Sequence, residues 1–75
     1  MEREFRHNGH TYWVKTEPAI HQVTGQTGFV AYVSNDRPGG LYYGEPVRDQ
    51  YGRVMFFENE NSDLTNANAV KQSEL

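Results

Sequence analysis

The chain contains no cysteine and no excess of basic residues, and both absences narrow its function. With no cysteine among its 75 residues, it offers no disulfide, no thiolate ligand and no thiol nucleophile. Its formal net charge is −3, and it has no basic stripe of the kind that neutralises nucleic-acid phosphates. Thiol chemistry and binding driven by phosphate contacts are therefore disfavoured from the outset.

Long apolar runs are missing as well. The longest lies at residues 28–33, far short of the roughly 20 apolar residues that cross a bilayer. Residues 1–6 are mostly charged and have no apolar segment behind them, so we do not expect a secretory signal. Together with the lack of cysteine, this pattern predicts a cytoplasmic protein that does not enter the membrane.

Aromatic residues are the main apolar resource of the chain. A length of 75 residues predicts a single domain over 1–75, and a chain of this size buries only about 60% of its unfolded surface. Aromatic residues make up 13% of the sequence, and each buries roughly 150–250 Å². We therefore expect an aromatic core, with self-association as a further source of burial.

Alternating apolar residues and turn signals predict an α+β fold, in which an antiparallel sheet of four to five strands carries one C-terminal helix on one face. The predicted strands lie near residues 3–7, 10–16, 28–34, 41–47 and 53–57. Asn8-Gly9 joins the first two, because it supplies both positive-φ positions of a type I′ turn. Gly52 is placed for the left-handed position of a later turn.

The helix is predicted near 61–73. Three residues are candidate N-caps: Asn59, Asn61 and Ser62. Asp63 suits the first turn, where its charge complements the helix dipole. Leu64, Ala67 and Val70 recur every three residues and predict a narrow apolar stripe that docks on the sheet. The order of elements resembles that of AP2-type and double-stranded-RNA-binding-like domains, a likeness of layout that no motif carries.

Residues 17–27 are predicted to form a connection, because Pro18 and Gly25 fall in a stretch with no clear period. The strand near 28–34 is apolar on both faces, as in a strand that is covered on both sides. The sequence leaves open which face meets the helix and what covers the other.

The residues that could carry chemistry are scattered. His7 and His10 flank the first turn, but a zinc site needs a third protein ligand, and nothing in the sequence fixes His21 or Glu17 in that place. The glycine-rich stretches match no phosphate-binding motif, and the serines lie in a turn, a cap and a tail. We therefore predict no catalytic residue, no metal site, no cofactor and no enzyme activity.

Alternation in the first hairpin predicts a binding surface. It separates Trp13 from the core positions Phe5 and Tyr12. The predicted binding residues are Trp13, Tyr32, Tyr43, Arg6 and Lys15, of which tryptophan, tyrosine and arginine are enriched at binding hot spots. We predict a protein-interaction module that uses an aromatic sheet face and binds a partner protein or a second copy, as a homodimer. Burial of Trp13 by the long connection and stacking of single-stranded nucleic acid stay open as alternatives.

The C-terminal part carries the whole net charge, because acidic and basic residues cancel over 1–57. Glu58, Glu60 and Asp63 form a predicted acidic surface. It suggests a further alternative, an inhibitor or mimic of the phage type that binds a nucleic-acid-handling protein. Acidic residues at the start of a helix also complement its dipole, and we favour that simpler explanation.

Overall fold

The computed structural model of the chain describes residues 2–34 and 45–74. Its regular elements are β1 (Glu2–His7), β2 (His10–Ile20), β3 (Thr27–Ser34) and α1 (Asp63–Ser73). The strands form an antiparallel sheet in the order β1-β2-β3. The α+β class and the C-terminal helix are thus confirmed. The part of the chain that is described holds three strands, fewer than the four to five predicted.

The first hairpin has the predicted turn and register. Asn8 and Gly9 have φ values of 52° and 79°, as a type I′ turn requires. Phe5 lies opposite Tyr12, and Glu4 lies opposite Trp13. Because side chains alternate along a strand, this register places Phe5 and Tyr12 on one face of the sheet and Trp13 on the other.

β2 continues through Pro18, so the predicted connection 17–27 is wrong at its start. Phe29, opposite Pro18, exchanges both its backbone hydrogen bonds with Phe57 instead of β2. The backbone nitrogen of Pro18 therefore points to the other side of β2, where the pairing with β1 has already ended at Lys15. Proline lacks an N–H group, and at this position the sheet does not need one.

The actual connection between β2 and β3 is residues 21–26. The N–H of His21 donates to the carbonyl of Gln26 at 2.8 Å, and the N–H of Gly25 donates to the carbonyl of His21 at 2.8 Å. Nδ1 of His21 accepts two further backbone N–H groups of the turn, at 3.2 and 3.3 Å. The His21 ring also lies 5.1 Å from the ring of Phe56, which ties the turn to the segment before α1.

Residues 45–57 run beside the outer edge of β3 without forming a regular strand. Val47 donates its N–H to the carbonyl of Ala31 at 2.7 Å and accepts from the N–H of Met55 at 3.0 Å. Its two backbone groups thus bond to different partners, one on β3 and one within the segment. A continuous ladder requires successive bonds to the same neighbour, and this segment does not supply them.

The strands predicted near 41–47 and 53–57 are therefore not found as regular strands in the described residues. Residues 45–57 contain two isolated bridges, one between Arg48 and Val54 and one between Phe57 and Phe29 of β3. Residues 41–44 lie outside the described part of the chain. The left-handed position predicted at Gly52, in the turn between the two segments, is confirmed, since Gly52 has a φ of 81°.

An aspartate organises this turn. Oδ1 of Asp49 accepts the backbone N–H groups of Tyr51 and Arg53 at 2.8 and 3.0 Å. Nε of Arg53 lies 3.4 Å from Oδ2 of Asp49. The hydrogen bond from the Arg53 backbone and that from Tyr51, together with the Arg53 charge, lower the pKa of Asp49 against a smaller opposing effect of burial. The ionised carboxylate is thus the form that fits the folded turn.

Stability should therefore depend on Asp49 in a pH-dependent way. A carboxyl group with a lowered folded pKa stabilises the fold above its unfolded pKa, about 3.9, and loses that contribution as pH falls through the folded value. We expect Asp49→Asn to be less stable than the wild type at pH 7, and the difference to shrink below about pH 4. Urea unfolding across pH measures it. Glu60→Gln, an exposed change outside the turn, controls for the loss of one negative charge; a difference that stays constant with pH would contradict the prediction.

α1 begins where the sequence places a cap. Ser62 is the N-cap, and its hydroxyl accepts the N–H of Thr65 at 3.1 Å. Asp63 occupies the first turn. Arg3 of β1 donates from Nη2 to Oδ1 of Asp63 at 3.0 Å and from Nη1 to the carbonyl of Asn61, which docks the start of the helix on the sheet.

The buried face of α1 differs from the predicted stripe. The buried residues of the helix are Thr65, Asn66, Ala69 and Val70. Leu64 is 70% exposed, and Ala67 is half-buried, so only Val70 of the predicted stripe is correct. The helix therefore turns a partly polar face to the sheet and leaves its one leucine in solvent. None of the helices in the described residues is long and apolar enough to span a membrane.

The core lies between the helix and one face of the sheet. Its buried cluster consists of Tyr12, Val14, Ala31, Val47, Phe57, Ala69 and Val70, with Phe5, Val33 and Met55 packed against it. The face of β3 that contains Ala31 and Val33 is thus the one that meets α1. The Tyr12 hydroxyl donates to Oε2 of Glu74 at 2.9 Å, and this hydrogen bond raises the pKa of Tyr12.

Candidate functional site

The face of the sheet opposite α1 carries four of the five predicted binding residues. Along β2, Tyr12, Val14 and Thr16 are buried on the helix side, while Trp13 and Lys15 are half-buried on the other. The pairing of β2 with β3 sets Lys15 directly opposite Tyr32. We call the surface formed by Arg6, Trp13, Lys15 and Tyr32 the aromatic face.

Lys15 and Tyr32 form the centre of the aromatic face. The Lys15 ammonium lies 5.6 Å from the centroid of the Tyr32 ring, within the range of a cation–π contact. Its Nζ is also 3.1 Å from Oε1 of Glu17, and these two side chains are 35% and 45% exposed. The long lysine side chain is thus restrained on both sides while a substantial part of it still faces solvent.

Arg6 extends the aromatic face toward the first turn. Its Nη1 donates to Oγ1 of Thr11 at 3.2 Å, and its Nη2 donates to the carbonyl of Gly9 at 3.3 Å. The side chain of Arg6 is therefore held along the strand while the residue stays exposed. It has donors left for a ligand, since a guanidinium carries five N–H groups.

Only part of the aromatic face is exposed to solvent. Val30 and Ser34 of β3 share this side of the sheet with Tyr32, and they are buried, at 9% and 2% exposure. Trp13 lies opposite Ser34 and is half-buried. The accessible surface therefore narrows to one band across Trp13, Lys15 and Tyr32. Tyr43, the fifth predicted binding residue, lies outside the described residues.

The residues of the predicted acidic surface have different neighbours. Asp63 forms an ion pair with Arg3 at the start of α1, at 3.0 Å, while 83% of its side chain stays exposed. Glu58 lies instead beside a groove at the far end of β2 and β3. Glu60 is exposed between them in sequence. The three carboxylates thus have separate surroundings.

The histidines take separate structural positions. The ring of His7 stacks on Phe5 with 6.2 Å between centroids, and His21 accepts backbone hydrogen bonds in the connection 21–26. His10 is exposed beside the turn. Over residues 2–34 and 45–74, no three side chains of the metal-binding types His, Cys, Asp and Glu come together.

Two surface features were not predicted from the sequence. An open groove of about 430 Å³ lies at the end of the β2–β3 hairpin. It is lined by Pro18, Ala19, Ile20, Thr27, Gly28, Phe29 and Glu58. Tyr51 is 72% exposed under the Arg53 guanidinium at 5.2 Å. The groove exists because β2 continues past Pro18. It was not predicted, because a proline is unusual within a strand and indicated a connection at this position.

Comparison with known proteins adds no identification. No protein-family model, no curated protein and no solved structure matches this chain. The geometry of the aromatic face is therefore the basis for a functional proposal.

Proposed function

We propose that the protein is a non-enzymatic interaction module that binds a partner protein through the aromatic face. The observation that carries this proposal is the cation–π pair of Lys15 and Tyr32 beside Trp13, on the side of the sheet away from α1. Residues one position along β2, such as Val14 at 0% exposure, are fully buried. The helix thus fills one face, and the other face retains partly exposed aromatic rings.

The chemistry of the aromatic face fits a binding role. Tryptophan, tyrosine and arginine dominate hot spots because they bury a large area and lose little conformational entropy. The contacts of Lys15 with Tyr32 and Glu17 restrain its side chain before binding, which lowers the entropic cost of association. The proposal includes no catalytic role, no metal and no cofactor. It does include a cytoplasmic location, which is consistent with the lack of cysteine.

Trp13→Ala should weaken partner binding while the fold survives. Removal of a hot-spot tryptophan costs about 2 kcal/mol or more of binding free energy, about 30-fold in affinity. The immobilised chain captures partners from a lysate of its own host, and the captured protein is then titrated against each variant. Tyr51→Ala is the matched control, because Tyr51 is an exposed aromatic residue on a different part of the surface.

Two outcomes would overturn this proposal. Equal capture by the wild type and by Trp13→Ala would place the binding site elsewhere. Unfolding of isolated Trp13→Ala, seen by circular dichroism, would make Trp13 a core residue and not a contact residue.

The same preparations test the two alternatives. Direct binding of single-stranded nucleic acid predicts that an oligonucleotide quenches Trp13 fluorescence, with a strong dependence on salt. An acidic mimic predicts that the double change Glu58→Lys and Glu60→Lys abolishes capture of a nucleic-acid-handling protein. Asp63 is left unchanged in that variant, because its ion pair with Arg3 docks α1.

A further inference from the structure

The outer edge of β1 presents unpaired backbone groups in a defined order. His7 and His10 close the two-residue turn, and such a closing pair exchanges both hydrogen bonds. Alternate residues of β1 therefore bond to β2, while Glu4 and Arg6 turn their N–H and C=O groups away from it. In the described part of the chain, β1 ends the sheet, and no backbone group bonds to the outward N–H and C=O groups of Glu4 and Arg6.

The side chains along this edge alternate in charge. Along β1 the charged residues alternate in sign, and only the uncharged Phe5 interrupts them: Glu2, Arg3, Glu4, Phe5 and Arg6. Charged edge strands normally discourage pairing with unrelated strands, because they bring like or unmatched charges together. Alternating signs have a different consequence when the incoming strand is antiparallel and identical, since one register sets Glu4 against Arg6 twice.

We propose that this edge is a self-association site, at which β1 pairs antiparallel with β1 of a second copy of the chain. A two-fold axis perpendicular to the sheet passes through Phe5, so that Phe5 faces Phe5 of the second copy. Glu4 then lies opposite Arg6 of the second copy, and Arg6 lies opposite its Glu4. Both are outward-pointing residues, so each such pair exchanges two backbone hydrogen bonds.

Neighbouring registers are less favourable. Moving the axis to Glu4 sets Glu2 against Arg6 of the second copy, but it also sets Glu4 against Glu4 at the axis and leaves Arg3 against Phe5. Moving it to Arg6 sets Arg6 against Arg6. Like charges directly opposite one another on paired strands are destabilising. The register centred on Phe5 places an aromatic pair at the axis. On each side of the axis, the Glu4 of one copy lies opposite the Arg6 of the other.

The proposal concerns the edge of β1, which shares Arg6 with the aromatic face but not Trp13, Lys15 or Tyr32, and it has a consequence for that face. Pairing through β1 forms one continuous sheet with both copies of α1 on the same side. The two Trp13 side chains then share the other side, three strand spacings apart across the sheet (roughly 14 Å at about 4.8 Å each) and offset by two residues along the strands. The interface is small, so we expect a weak dimer that forms only at high concentration.

A charge exchange tests the register. Glu4→Lys places lysine against arginine twice in the homodimer, and Arg6→Glu places glutamate against glutamate twice. We expect each variant alone to have a dimer dissociation constant at least tenfold higher than the wild type, measured by sedimentation equilibrium. An equimolar mixture of the two variants should dimerise again, because every cross-strand pair in the mixed dimer has opposite signs.

A backbone variant separates pairing from folding. Glu4→Pro removes an outward N–H and leaves the bonds between β1 and β2, so we expect a folded monomer by circular dichroism. In the wild type, the amide protons of Glu4 and Arg6 should gain protection from exchange as protein concentration rises. A wild type that stays monomeric at millimolar concentration overturns the proposal. So does a Glu4→Lys variant that dimerises as well as the wild type, since that result fits the register centred on Glu4.

Discussion

Asn66→Leu is expected to raise the free energy of unfolding by about 1–3 kcal/mol, the cost of a buried polar group that lacks a partner. Asn66 is fully buried on the sheet side of α1, and within residues 2–34 and 45–74 neither Oδ1 nor Nδ2 of its amide has a hydrogen-bond partner. Leucine has a similar shape and no polar atom to desolvate. Urea unfolding at pH 7 measures the gain.

A matched control separates burial from helix propensity. Leucine is a better helix former than asparagine by a few tenths of a kcal/mol, wherever the exchange is made. Asn68→Leu makes the same exchange at an exposed position of α1, and its gain should stay near that small value. Asn66→Asp keeps the shape and adds a charge, so we expect a loss of about 3 kcal/mol or more. Equal gains from Asn66→Leu and Asn68→Leu would disprove the burial argument.

Local signals predicted the parts of the fold that local chemistry determines. Asn8-Gly9 fixes the first turn because few other residues accept positive φ at both positions, and the hairpin register followed from it. Ser62 and Asp63 mark the helix start for a similarly local reason. These features depend on the chain within a few residues, and the sequence states them directly.

The wrong predictions concern positions whose structure depends on residues distant in sequence. Pro18 is accommodated in β2 because β1 has already ended beside it, which local sequence does not reveal. Leu64 is the most apolar residue at the start of α1, yet it is 70% exposed, because the face of the helix that packs on the sheet is formed by Thr65, Asn66, Ala69 and Val70. The hydrophobic pattern of α1 is weak, so tertiary contacts override it.

The candidate site shows the same division. The separation of Trp13 from Tyr12 follows from alternation along one strand, and the sequence alone predicts it. The contact of Lys15 with Tyr32 depends on the register between β2 and β3, and that register depends on where the connection 21–26 closes. The acidic surface was predicted from proximity in sequence, and Arg3, distant in sequence, engages Asp63 in an ion pair.

Gly28→Ala is expected to destabilise the fold by about 1–3 kcal/mol, as an overpacked position does. A Cβ atom at Gly28 would lie 3.0 Å from the backbone oxygen of Phe57, the same oxygen that accepts the N–H of Phe29 at 2.9 Å. Backbone atoms do not move aside as a flexible side chain does. The residues after the turn at 49–53 would therefore shift away from the edge of β3.

The sign of the effect makes Gly28→Ala decisive. Where space exists and φ is negative, a change from glycine to alanine stabilises a protein by about 0.4–1 kcal/mol, because the unfolded chain loses freedom. Gly52→Ala is the control: a Cβ at Gly52 meets no atom within 4 Å, but its φ is 81°, so it costs stability through backbone strain. Hydrogen exchange distinguishes the two, since Gly28→Ala should expose the amides of Phe29 and Phe57 selectively. A stabilised Gly28→Ala protein with both amides protected would show that residues 54–57 do not pack on β3 as described.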